Sequence, residues 1–152
     1  MCYEKNSRTQ VLRKVTRNAK SAELVLIDFG HAKEMYECGD EYMNKKLNGP
    51  TGSTMYAAPE ILIKREFNLH KSDAWSMGIV TYVLLEGKHP WDHHHGDDGK
   101  MMNEHIIKHV LNKVKGWSEE AKDFVTKLLR TDTKCRMSII EAFEHEWLKD
   151  FV

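Results

Sequence analysis

The stretch Ser72 to Gly87, SDAWSMGIVTYVLLEG, limits the possible folds of this chain more than any other. It is long enough for about four helical turns. Trp75, Met77, Ile79, Val80, Tyr82, Val83, Leu84 and Leu85 leave no wide polar stripe on such a helix, so it must be buried. Ser72 or Asp73 can cap its first turn and Gly87 can close its last. A buried helix needs other helices around it. The pattern therefore predicts a mainly α architecture, a helical bundle wrapped around this central element.

The remaining periodicities fit that plan. Residues 101–114, MMNEHIIKHVLNKV, place Met102, Ile106, Val110 and Val114 on one face. Ser118 caps the next helix, where Phe124, Val125, Leu128 and Leu129 recur at helical spacing. Ser138 and Glu141 match a capping box, and the last helix carries Ala142, Phe143 and Trp147 inward. Upstream, the apolar run from Glu23 to Ile27 reads as a short β element ending at Asp28-Phe29-Gly30. Residues 31–54 read as a long polar loop without sustained helical or strand period.

The charge balance, 23 Lys and Arg against 23 Asp and Glu, gives no global field to attract nucleic acid or an anionic membrane. Residues 1–20 are locally basic, with Lys5, Arg8, Arg13, Lys14, Arg17 and Lys20 against Glu4, and read as a solvated tail. Cys2, Cys38 and Cys135 are odd in number and widely spaced, so neither a disulfide framework nor a zinc site is indicated. A reducing cytoplasm, or nucleus, fits. The longest apolar stretch, near residues 74–85, is too short to span a bilayer. His93, His94 and His95 are consecutive in a polar loop, which does not preorganise a tetrahedral metal set. Asp97-Asp98 lacks the alternating acidic pattern of a calcium loop.

Four motifs in order, DFG at 28–30, GSTMYAAPE at 52–60, SDAWSMGIVTYVLLEGKHPW at 72–91 and the closing AKDFVTKLLRTDTKCRMSIIEAFEHEWL, resemble the C-terminal lobe of a eukaryotic protein kinase. The wording is most similar to calcium/calmodulin-dependent and calcium-dependent Ser/Thr kinases. The resemblance implies a C-lobe over residues 21–150, with an activation segment at 28–60 and a helical subdomain at 61–150. It implies that Asp28 chelates the Mg²⁺ bridging the phosphates of ATP, and that Phe29 and Gly30 complete the motif. Ser53, Thr54, Tyr56 and Pro59 fall in the activation segment, where Ser53 would contact the catalytic aspartate and Tyr56 would line a substrate groove. Glu60 and Arg136 would form an ion pair. Asp73 would bond the catalytic-loop backbone, with Trp75 and Gly78 anchoring the central helix. Thr51, Ser53, Thr54, Tyr36 and Tyr42 are hydroxyls open to phosphorylation, beside a loop rich in acidic side chains.

The same resemblance implies a glycine-rich loop, a strand Lys and an HRD-type catalytic loop, the last within residues 5–17. Residues 1–27 contain no aspartate, and Arg13 stands where the base belongs if Asn18 serves as second metal ligand. No catalytic residue is therefore identified. The expected function is that of a partial Ser/Thr protein kinase domain, inactive as this chain alone, its complete parent using ATP and Mg²⁺ on protein substrates. The alternative is a non-catalytic, pseudokinase-like module that binds a partner protein.

Overall fold

The computed structural model describes residues 10–14, 23–27, 29, 32, 36–38, 41–43, 54–63, 68–91 and 104–150. The chain divides into two compact units, Met1–Met43 with Thr51–Ser53, and Asn44–Pro50 with Thr54–Val152.

The first unit is built on two antiparallel pairs. Strand β1 (Gln10–Lys14) pairs with β2 (Glu23–Ile27), with Gln10 opposite Ile27 and Lys14 opposite Glu23. Apolar residues dominate β2, β1 contributes Val11 and Leu12, and each strand supplies the other's ladder bonds. The basic segment is thus not wholly a solvated tail. Its middle is a strand, with Arg13 opposite Leu24 in register. Strand β3 (Tyr36–Cys38) pairs with β4 (Glu41–Met43), Tyr36 opposite Met43 and Cys38 opposite Glu41. This corrects the expectation of a loop without strand period across 31–54. Only Gly39 and Asp40 separate the two strands, a dipeptide suited to a two-residue hairpin connection.

The second unit is helical. Helix α1 (Pro59–Leu62) begins on a proline, whose fixed φ and missing N–H suit a first turn. Helix α2 (Leu69–Glu86) is the longest, about 27 Å at 1.5 Å per residue. It starts four residues before the expected cap. Asn68 is the N-cap, its side chain accepting the Lys71 N–H at 3.2 Å, and Ser72 turns inward instead. Gly87 closes the helix at φ 71°, a left-handed conformation glycine adopts without Cβ strain, and its N–H donates to Val83 O at 2.8 Å.

Helix α3 spans Glu104–Asn112, α4 Glu119–Leu128, α5 Ile139–Phe143, and a 3₁₀ turn, Glu146–Leu148, closes the fold. Ser118 caps α4 by accepting the Ala121 N–H, and Ser138 and Glu141 form the capping box of α5. Helix α4 packs on α2, α3 and the closing turn. The core joins Trp75, Ile79 and Tyr82 of α2 to Phe124, Val125, Leu128 and Leu129, with Ile107, Leu111 and Ala142 at its margins.

Three expectations about helix faces are corrected. Helix α2 is not buried all round, because Met77, Leu84 and Leu85 are exposed, Leu84 by 79%. The buried face of α3 runs through Ile107, Leu111 and Val114, with Val110 at its edge. Met102 and the side chain of Ile106 lie outside the described residues. On α5, Ala142 is buried and Trp147 packs on the core, but Phe143 is 62% exposed. Five residues give α5 little more than one turn, so burying Ala142 directs its neighbour Phe143 outward.

Candidate functional site

Arg136 is 1% exposed although it carries a permanent charge, and Glu60 is 7% exposed. The two meet as a two-pronged pair. Arg136 Nη1 donates to Glu60 Oε1 at 2.6 Å and Nη2 to Oε2 at 2.9 Å. The planar fork of a guanidinium matches a carboxylate in this way. Two further donors of the fork are used. Nη1 also donates to Lys71 O at 2.7 Å, and Nε to Arg130 O at 2.7 Å. The guanidinium carbon lies 5.0 Å from the centroid of the Trp75 ring, within cation–π range. Ser72 Oγ donates to Glu60 Oε1 at 3.2 Å, and the Lys71 ammonium donates to the Arg136 carbonyl. The cluster joins α1, the first turns of α2 and the loop between α4 and α5.

On the same side of the sequence, the segment that leads into α1 is fixed by its backbone. Ser76 Oγ donates to Tyr56 O at 2.9 Å. The Tyr56 ring stands edge-on to His89, centroids 5.2 Å apart at 85°. His89 is buried, and its Nδ1 accepts the Trp91 N–H at 3.3 Å. Thr54, Met55 and Tyr56 remain exposed. An exposed hydroxyl-bearing and aromatic surface on a backbone held from below suits contact with another chain.

Asp73 is largely open to solvent, yet enough chain surrounds its carboxyl that lost hydration raises its pKa, with the His70 charge opposing. Trp75 is fully buried beneath Arg136. At Gly78 an added Cβ would lie 2.8 Å from Leu129 Cδ2 and 2.9 Å from Leu128 Cβ, so the close approach of α2 to α4 depends on its absence.

Asp28, Gly30 and Ser53 lie outside the described residues, as do Asn18 and His93 to His95. Strand β2 ends at Ile27, immediately before Asp28. Phe29 O accepts the Ala32 N–H at 2.9 Å, a tight turn directly after the strand. Among the described residues no group of three or more His, Cys, Asp or Glu is placed to hold a metal ion. Cys135 is exposed, and its thiol donates to Asp132 Oδ2 at 3.4 Å. No helix among the described residues is long and apolar enough to cross a membrane.

Sequence reasoning brought Glu60 and Arg136 forward but missed Lys71, Ser72, Ser76 and Arg130. Lys71 and Arg130 act largely through backbone carbonyls, which leave no residue signature. Of the two serines, Ser72 was legible only as a possible helix cap and Ser76 carried no signal. Their spacing of four puts both on one face of α2, where Ser76 Oγ also donates to Ser72 O at 3.3 Å.

The sequence model of the protein kinase domain matches residues 14–148. CDPK-related kinase 3 of Arabidopsis thaliana is 34% identical over 143 residues, covering 89% of this chain and 22% of the relative. Myosin light chain kinase 3 of Rattus norvegicus is 36% identical over 135 residues, covering 86% of this chain and 16% of the relative. Serine/threonine-protein kinase KIN4 of Saccharomyces cerevisiae is 30% identical over 135 residues, with the same two shares. The chain thus spans 16% to 22% of the length of these relatives. With the match running from Lys14 through Leu148, and so across β2, the buried Glu60–Arg136 pair and the closing turn, the chain belongs to the protein kinase domain family, related to its calcium/calmodulin-dependent Ser/Thr group.

Proposed function

We propose that the chain carries the C-terminal lobe of a Ser/Thr protein kinase domain, residues 21–150, and that this 152-residue chain on its own does not turn over. In its complete form the domain would move the terminal phosphoryl group of Mg·ATP onto protein Ser and Thr hydroxyls. The observation that carries this reading is the Glu60–Arg136 pair, which fastens the end of the 28–60 segment to the helical subdomain. A segment anchored at that end can hold Tyr56 and its neighbours as a platform for a protein substrate.

Asp28 follows directly on a paired strand, and a carboxylate on a rigid element is the donor type a hard cation takes. It is the residue that would hold Mg²⁺, which supplies charge neutralisation at the phosphates when bound. Ser53 and Asp73 would position the catalytic loop, Phe29 and Gly30 would set the turn after Asp28, and Pro59 would start α1.

Inactivity is supported by the absence of aspartate from residues 1–27 and by β1, which puts Arg13 on a strand. The groups that position and stabilise a transferring phosphoryl supply most of the rate in this chemistry. The same observation favours a second reading, a non-catalytic module that binds a partner protein through the surface near Tyr56.

The test is an assay of the purified chain with Mg·ATP and generic Ser/Thr peptides, beside Asp28→Ala. Equal, background rates are expected. Turnover in the unmodified chain that Asp28→Ala abolishes overturns the claim of inactivity. A stable complex with a protein ligand, lost on Tyr56→Ala and indifferent to Asp28→Ala, establishes the second reading instead.

A further inference from the structure

A tryptophan follows a histidine by two residues at His89-Pro90-Trp91 and again at His145-Glu146-Trp147. Both histidines are buried, and each ring accepts the backbone N–H of its tryptophan at Nδ1, at 3.3 Å and 3.2 Å. A ring nitrogen that accepts carries no proton, so the neutral imidazole in this geometry holds its hydrogen on Nε2. At His145 that hydrogen goes to Asp123 Oδ2, 3.0 Å away on α4. The ring is therefore both the N-cap of the closing 3₁₀ turn and its tie to the core. Phe124 stands edge-on to it at 5.2 Å and meets the Trp147 ring at 4.9 Å.

We propose that His145 is a proton-operated latch on the closing turn. A proton added at Nδ1 turns the acceptor into a donor facing a donor. The Trp147 N–H loses its partner, and the turn carrying Trp147 and Leu148 detaches from α4.

The surrounding charges determine which bond breaks. His145 lines an open cavity of about 540 Å³. Helix α4 presents Asp123 and Lys127 to it, the pair closing at 2.6 Å, and this hydrogen bond, with a smaller one from His145, lowers the Asp123 pKa. The loop before α5 presents Lys134, Arg136 and the Cys135 thiol, of which Arg136 is already committed to Glu60. Glu141 and Glu144 face the cavity from α5 and its end, and Glu146 from the turn itself. Four carboxylates against three cations do not repel an imidazolium. Asp123 gains from it. Lys127 shares Asp123 Oδ2 and opposes the added charge, but the direct clash at Nδ1 is with the Trp147 N–H, so protonation keeps the Asp123 bond and gives up the cap. The inference concerns the fold of the helical unit and does not depend on phosphoryl transfer.

Nitrogen-15 NMR of the imidazole rings and hydrogen exchange at the Trp147 amide, relative to its intrinsic rate, test the proposal on the full chain. At about pH 8 the Nε2–H form of His145 is expected. Over the acid range where the ring's own nitrogen-15 signals turn to imidazolium, Trp147 protection should fall about fivefold or more, the size of a lost N-cap. His145→Asn keeps an acceptor that no proton removes in this range, so its protection should not change with pH. An Nδ1–H tautomer at pH 8 overturns the proposal. So does protection that survives imidazolium formation, or an Asn variant that loses protection like the unmodified chain. If His145→Asn does not fold, the tautomer and exchange data on the unmodified chain decide alone.

Discussion

Arg136 reaches back across 76 positions to close both of its Nη groups on the Glu60 carboxylate, at 2.6 and 2.9 Å, in a place where both side chains are buried. Burying two charges is costly, and their attraction offsets the cost only when every other polar valence is met. Here Lys71 O, Arg130 O and Ser72 Oγ meet most of them. Removing one member leaves the other buried without its counter-charge.

Glu60→Ala and Arg136→Ala are each expected to destabilise the helical unit by about 3 to 5 kcal/mol. Glu60→Ala with Arg136→Ala should cost clearly less than the sum, because neither charge is then stranded. Urea denaturation of the four proteins reads this directly. Additive losses would mean that the pair is not coupled.

Gly78 and Gly87 answer differently to the same change. Gly78→Ala drives a methyl into Leu128 and Leu129 and should cost about 1 to 3 kcal/mol by overpacking the α2–α4 contact. Gly87→Ala meets nothing within 4 Å but keeps φ at 71°, so it should cost about 1 kcal/mol. Gly87→Asn should recover much of that loss, since asparagine tolerates the conformation, whereas Gly78→Asn should be worse than alanine. Thermal denaturation separates the two behaviours.

The cap of α5 predicts a pH dependence. The Ser138 backbone N–H, then its hydroxyl, holds the Glu141 carboxyl below the ordinary glutamate value. Around that ordinary value the unfolded chain therefore binds more protons than the folded one. The charge of Glu141 stabilises the fold above the ordinary range, and the contribution fades as pH falls through the lowered folded value. Glu141→Gln keeps a capping amide without the charge. Its deficit, a few tenths of a kcal/mol at pH 7 on this exposed site, should vanish by about pH 3. Ser138→Ala removes the cap itself and should cost about 1 kcal/mol. Urea midpoints across pH check both.

The two aromatic residues near the end of the chain should differ sharply. Phe143 is 62% exposed, so Phe143→Ala should change stability by less than about 0.5 kcal/mol. Trp147 packs on Phe124 and the core, and Trp147→Ala should cost about 3 kcal/mol. Comparable losses would return Phe143 to the interior face.

These residues also show what could be read in advance. Ser118 and Ser138 were legible because a hydroxyl before an apolar repeat has one favoured use. The Phe124, Val125, Leu128 and Leu129 face was legible because four positions over-determine a stripe. A cap at Asn68 was not, since Ser72 and Asp73 offer the same chemistry closer to the apolar run. The face of α3 shifted because nearly every turn of IIKHVLNKV offers two apolar choices. Phe143 was assigned by hydropathy, but α5 is too short to turn it under Ala142. Of the candidate site, the acid–base pair came from motif order, while the carbonyls that complete it were fixed by tertiary packing alone.

The distance along the chain between Glu60 and Arg136 also matters while the protein is being made. At 5 to 20 residues per second, a ribosome needs roughly 4 to 15 s to add the 76 residues between them. Throughout that interval the nascent α1 segment has its carboxylate but no cation to fold around. The buried pair at the start of the helical unit can therefore close only after Arg136 has left the exit tunnel.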